Sequence, residues 1–238
     1  MNSDPATSTD YAWIGRLLQT ADTFYPTGSY AHSFGLEGLV AEGAVKDVTT
    51  LRRFLTESTL PALAQSELPL TAHAWRALGA TPEWERVGAA CVLSSALKTA
   101  REARKAAEDI GRQRVELLVR LQAAPLVEEF ARRATVGAWP ASSAVAAALE
   151  GRVLGAPLPA VLGGVYYTTL AGLLAAAMKL LRIGQNASQG LLTHLLLEAP
   201  RVIAAAETVP WEEIGWFNPW LDIAAARHEI ADARMFIS

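Results

Sequence analysis

The sequence predicts an all-α fold: one single-domain bundle of about nine or ten helices packed around a central apolar helix. Three observations predict it. Apolar residues recur at helical spacing, and alanine and leucine are abundant. No run of alternating valine, isoleucine and threonine reads as a strand. The segment Ala160–Met178, AVLGGVYYTTLAGLLAAAM, carries no charge along its whole length. Uniform apolarity suits either a buried helix or a membrane span. Glycines, threonines and tyrosines dilute it here, and Lys179 and Arg182 follow it. The expectation is a buried central helix and no membrane.

Composition agrees. The chain has 238 residues, 51% of them hydrophobic and 19% charged. That is a globular composition long enough to bury a sizeable core. A formal net charge of −3 gives no general attraction to nucleic acid or anionic lipid. The single cysteine, Cys91, cannot form an internal disulfide, so a cytoplasmic, reducing setting is expected. The stretch MNSDPATSTDYAW lacks the basic and apolar blocks of a secretion signal. Residues 1–10 are expected to be flexible. With no linker, repeat or composition break, 1–238 reads as one domain.

The elements follow in order. Tyr11–Thr20 reads as a short first helix. A glycine-rich loop leads into Phe34–Glu42, ended by Gly43. Asp47 and Thr49 are capping residues for LRRFLTESTLPALAQ, and Pro61 is expected to kink or divide that helix. Leu68–Leu78 reads as a separate helix. Thr81-Pro82-Glu83 is a helix start in the right order, and the helix it opens is expected to run past Arg104. Gly111 marks a boundary or a close helix contact. Prolines 125, 140, 157 and 159 punctuate helices near 126–134, 140–150 and 158–181. A loop at Gly184–Ser188 precedes a helix over Gln189–Glu207. Pro210 opens an aromatic segment, WEEIGWFNPW, before the terminal LDIAAARHEIADARMFIS.

Few residues fall in patterns that carry chemistry. The four histidines, His32, His73, His194 and His228, form no metal-ligand motif; a site shared across a two-fold axis stays open. Neither a phosphate loop nor a dinucleotide fingerprint is present. No catalytic, metal or cofactor residue is assigned. FYPTGSYAHSFGLE brings Ser29, Ser33, His32 and Glu37 together, but residues 32 and 33 point about 100 degrees apart on a helix start, and no nucleophile elbow is present. Pro26, Gly28 and Gly35 fit a tight turn, with Ser33 as a cap and Glu37 in the first turns of the next helix. Trp211, Trp216, Phe217 and Trp220 either pack on the core or form a partner-docking surface.

The order of motifs goes further. YPTGSYAHSFGLEGLVAEGAV resembles the N-terminal signature of the urease accessory protein F family. TAREARKAAEDIGRQ resembles that family's central charged helix, AAAMKLLRIGQNASQ its late helix and Gly-Gln turn, and LDIAAARHEIADARMFIS its C-terminal tail. Together the blocks span about residue 15 to 238. Two positions depart from the pattern: Tyr-Pro-Thr-Gly where leucine-proline and a small residue are frequent, and Met235 where leucine is usual.

The resemblance implies an all-helical nickel-insertion chaperone that is not an enzyme and acts as a homodimer. Its implied partners are accessory protein D (H in some organisms), the GTPase accessory protein G and apo-urease. No cofactor is implied, since nickel is cargo in transit. Carried onto this sequence, the resemblance makes Tyr30, His32, Ser33 and Glu37 structural or interface residues. Arg104, Arg112 and Lys179 become polar contacts within the assembly. Arg182, Gln185 and Gln189 would form a buried hydrogen-bonding turn. His228, Glu229, Arg234 and Phe236 would dock a partner, within a tail of residues 222–238. Two other readings stay open: regulation of the partner GTPase's nucleotide cycle through Arg104 and Arg112, and a helical hydrolase using Ser33 and His32.

Overall fold

In the computed structural model, which describes residues 11–228 and 234–237, the fold is all-helical. Residues 1–10, expected to be flexible, lie outside this range, as does Glu229. Among the described residues there are eleven helices and no strand. They are α1 (Ala12–Ala21), α2 (Leu36–Ala41), α3 (48–77), α4 (Trp84–Ala96), α5 (Arg101–Leu121) and α6 (Pro125–Val136). Then come α7 (Ser143–Leu154), α8 (Leu158–Leu181), α9 (Gln185–Leu197), α10 (Ala199–Thr208) and α11 (Pro219–His228).

Pro61, expected to kink or divide its helix, lies in a helical run that π-turns interrupt but do not end, and Leu68–Leu78, expected as a separate helix, continues the same run as far as Ala77. The chain stays helical throughout, as α-helical stretches Val48–Phe54, Leu60–Ala62 and Leu68–Ala77 joined by π-helical turns at Leu55–Thr59 and Leu63–Glu67. A proline has no N–H for the carbonyl four residues back, and its ring crowds that carbonyl. A wider turn ahead of Pro61 and of Pro69 relieves both problems. The carbonyl four residues before Pro69 belongs to Gln65, and it accepts the N–H of Gly215 at 2.8 Å. The proline thus frees an acceptor that anchors the aromatic segment. At its start, Asp47 caps α3 in a reciprocal box with Thr50, not with Thr49.

Further boundaries differ from the sequence reading: the helix expected to open at Thr81-Pro82-Glu83 starts at Trp84, with Glu83 at its N-cap. The helix expected to pass Arg104 stops at Ala96, and a new one starts at Arg101. Tertiary bonds hold that break: Lys98 pairs with Glu67, the Thr99 hydroxyl donates to Asp222, and Arg104 donates to the Lys98 carbonyl. The helix expected over Gln189–Glu207 begins at Gln185 and breaks at Glu198, just before Pro200. Gly111 lies inside α5 at a close contact: a Cβ there would sit 2.5 Å from the Ser142 carbonyl carbon.

The core has two main halves. One surrounds α8, where Leu162, Tyr166 and Leu170 are fully buried against α2, α3 and α9. The other joins the end of α3 to α4, α5, α6 and α7 around Leu70, Val87, Val145 and Leu149. Trp75 packs against both. Helix α8 alone among the described residues is long and apolar enough to cross a membrane, and 44% of its most apolar window is buried inside the fold.

Candidate docking site

The site begins with the opening loop. Gly28 and Gly35 adopt φ of +79° and +86°, values that a side chain disfavours. Ser29–Ala31 makes one 3₁₀ turn between them. The Ser33 Oγ then accepts the N–H of Glu37 at 3.3 Å, capping α2 as the sequence suggested. This fixes Glu37 in the first turn of α2. Helix α11 lies across α2 so closely that a Cβ on Gly38 would come within 2.6 Å of the Ala224 carbonyl oxygen. Arg227 on α11 pairs with Glu42 at the end of α2.

The tail returns to this loop. In an extended strand successive N–H groups point to opposite sides. The chain bends at Met235 and Phe236, so both N–H groups reach the Glu37 carboxylate, at 2.7 and 3.1 Å. The next N–H, from Ile237, donates to the Ala31 carbonyl at 2.9 Å. Arg234 pairs with Glu102 on α5 at 2.8 Å. The Phe236 ring is buried, with 6% exposed, and belongs to the core around α8. Lys179, the charge that interrupts α8, reaches water and holds its ammonium 5.3 Å from the Phe236 ring centroid.

Residues from three distant blocks therefore meet: Tyr30, His32, Ser33 and Glu37 from the loop, Lys179 from α8, and Arg234 and Phe236 from the tail. Ser33 and His32 are buried, and burial lowers the His32 pKa below its ordinary value. Tyr30 is 67% exposed beside them. His228 ends α11, and its side chain, like Glu229, lies outside the described residues.

Other expected residues stand apart. Arg104 is half-buried and spent on the Lys98 carbonyl, while Arg112 is exposed and paired with Asp109 one turn back. Arg182, Gln185 and Gln189 do not form a buried turn, because all three are exposed. Arg182 adopts φ +52° to end α8, and α9 begins immediately afterwards, so the turn between them lies at the surface. Of the aromatic segment, Trp211 packs beside His73 and the second core, whereas Trp216, Phe217 and Trp220 are exposed.

Sequence reasoning missed the anchor beneath the loop. The Tyr25 hydroxyl donates to Glu150 at 2.8 Å, and Arg114 donates to the same carboxylate at 2.9 Å. Arg114 also donates to the Thr20 carbonyl. Glu150 is 2% exposed, and burial and the neighbouring carboxylate push the Tyr25 pKa well up. One signal was available: Glu150 is the lone charge in the alanine-rich ASSAVAAALEG. Next to this anchor, a cleft of about 270 Å³ lies between the loop, the π-turns of α3, α5 and α8. Among the described residues no group of three or more His, Cys, Asp and Glu side chains is placed to hold a metal ion.

Fold and site together define an all-helical protein with a groove that binds a short chain segment through its N–H groups and one aromatic ring. Comparison with known proteins gives the family. The UreF family profile matches residues 45–196. A urease accessory protein UreF from Azoarcus sp. (strain BH72) is 32% identical over 228 residues, covering 94% of each chain. That from Paenarthrobacter aurescens (strain TC1) is 30% identical over 226 residues, covering 93% of this chain and 96% of the relative. The chain belongs to the UreF family of urease accessory proteins.

Proposed function

We propose that this chain is a non-catalytic cytoplasmic scaffold, active as a homodimer. It assembles with accessory protein D (H in some organisms) and the GTPase accessory protein G, and the assembly inserts nickel into apo-urease. Nickel is cargo passed along the complex, and this chain's task is to position its partners. One observation carries the reading: the opening loop, Lys179 and the tail form a single composite surface. Its inner side is tied down by Glu37 and Phe236. Its outer side presents Tyr30, Met235 and Ile237 to solvent, at 67%, 61% and 64% exposure. Exposed aromatic and aliphatic side chains on a rigid backing are the kind that become interface anchors.

The Ser33–His32 hydrolase reading is not adopted. Ser33 is fully buried, and its Oγ is occupied as the cap of α2. A second reading, regulation of the GTPase cycle, is favoured by the exposure of Arg112 on the outer face of α5. Arg104 is a poor candidate for it, since its guanidinium is engaged internally.

Co-purification with the D and G proteins from the same source tests the scaffold. The Arg234→Ala/Phe236→Ala variant should lose the D protein and, with it, the G protein, while circular dichroism stays unchanged. Wild-type complex from that variant overturns the assignment of this surface. For the second reading, Arg112→Gln should change GTP turnover in an intact complex, and unchanged turnover rejects it.

A further inference from the structure

The cleft beside the Tyr25–Glu150–Arg114 anchor has the makeup of a small-molecule site. Its volume is about 270 Å³. An apolar cavity of about 150 Å³ takes up benzene, so this one has room for a guest of about ten non-hydrogen atoms. The floor is apolar and includes the rings of Phe34 and Phe54 with Ile110, Val165 and Leu173. Gly172 of α8 lines it too, and a Cβ there would meet nothing within 4 Å, so the space reaches the helix backbone. The polar groups share one character. The hydroxyls of Thr20, Thr168 and Thr169 donate to the carbonyls of Leu17, Gly164 and Val165 respectively. The Tyr25 hydroxyl donates to Glu150. Their protons are committed, so what these groups offer a guest is lone pairs. The cations at the cleft are committed as well: Lys98 pairs with Glu67, and Arg114 with Glu150. The exposed Asp22, which also lines the cleft, adds one further negative charge. Such a site complements a flat, uncharged molecule that brings its own hydrogen-bond donor.

We propose that this cleft binds a small uncharged aromatic molecule with one N–H or O–H donor, of about the size of indole. The guest's rings fill the space between Phe34, Phe54 and the Gly172 face of α8. Its donor meets the threonine lone pairs of α8. An anion is disfavoured, because both cations are already neutralised and Asp22 repels it. Thr27, Ser29 and Tyr30 line the same cleft, so a bound guest braces the opening loop from behind. The inference concerns this chain alone, so its failure and a failure of partner assembly are separate results.

Titration of indole into the isotope-labelled full-length chain, followed by amide NMR shifts, tests the proposal. Saturable shifts should appear at Ser29, Thr168 and Gly172 at millimolar indole or below. Benzofuran keeps the shape and replaces the N–H with an oxygen. It should bind about three- to tenfold more weakly, the worth of one hydrogen bond. Thr168→Val/Thr169→Val removes the acceptors and should erase that preference. Indole-3-acetate, the same ring with an anionic arm, should bind more weakly than indole. Gly172→Leu fills the cleft with a residue that suits a helix better than glycine, and should lose at least about tenfold in indole affinity. Ala175→Leu serves instead if that variant is not folded by circular dichroism. No saturable shift in the folded chain, or unchanged affinity in the folded leucine variant, overturns the site. Benzofuran binding as tightly as indole makes the cleft a general apolar pocket and overturns the donor class. Indole-3-acetate binding as tightly as indole overturns the uncharged class.

Discussion

The carboxylate of Glu37 accepts the backbone N–H groups of both Met235, at 2.7 Å, and Phe236, at 3.1 Å. One side chain at the start of a short helix thus fixes the far end of the sequence. Replacing it with glutamine keeps the shape and removes the charge. Charge-assisted hydrogen bonds contribute about 1.5–3 kcal/mol. Amide hydrogen exchange at Met235 and Phe236 should therefore speed up by roughly tenfold or more in Glu37→Gln. Unchanged exchange would show that the aromatic ring alone holds the tail.

The contact between α2 and α11 depends on a missing side chain. A methyl at position 38 would press on the Ala224 carbonyl, which is backbone and must move as a unit with its helix. Gly38→Ala should cost about 1–3 kcal/mol, although alanine is the better helix former. Urea titration measures the cost. A stabilised variant would mean that α11 shifts freely.

Glu150 holds both Tyr25 and Arg114 in a site that is almost dry. Removing it leaves a largely buried guanidinium without its carboxylate. Glu150→Ala should destabilise the fold by about 3–5 kcal/mol. Adding Arg114→Met should recover much of that loss, because the stranded charge goes too. A double variant no better than Glu150→Ala would refute this account of the anchor.

His32 gives the fold a pH dependence of known sign. Burial lowers its pKa in the folded state from the ordinary 6.5. Below that ordinary value the unfolded chain binds a proton that the folded chain resists. The stability contribution is therefore present above pH 6.5 and lost as the pH falls through and below it. Urea midpoints at pH 7.5 and 5.5 should differ less in His32→Gln than in the parent chain. An equal difference would place the acid sensitivity elsewhere.

Much of this arrangement was legible in the residues themselves. Asp47 as a cap, Ser33 as a cap and the glycines of the opening loop all act within a few positions of themselves, so local chemistry determined them. The apolarity of Ala160–Met178 pointed to a core helix or a membrane span, and packing placed that helix at the centre of one half of the core. The sequence order of four blocks also carried the family. Tertiary structure decided what local chemistry could not. Pro61 and Pro69 stayed inside one helix because π-turns absorbed them and Gly215 satisfied the freed Gln65 carbonyl. The helix after Trp84 broke before Arg101 because Glu67 and Asp222 hold the residues between. Glu37, Lys179 and Phe236 lie in three segments far apart in the sequence. They became one site only when α2, α8 and the tail packed together, since a hydrogen bond acts over about 3 Å of space and takes no account of separation along the chain.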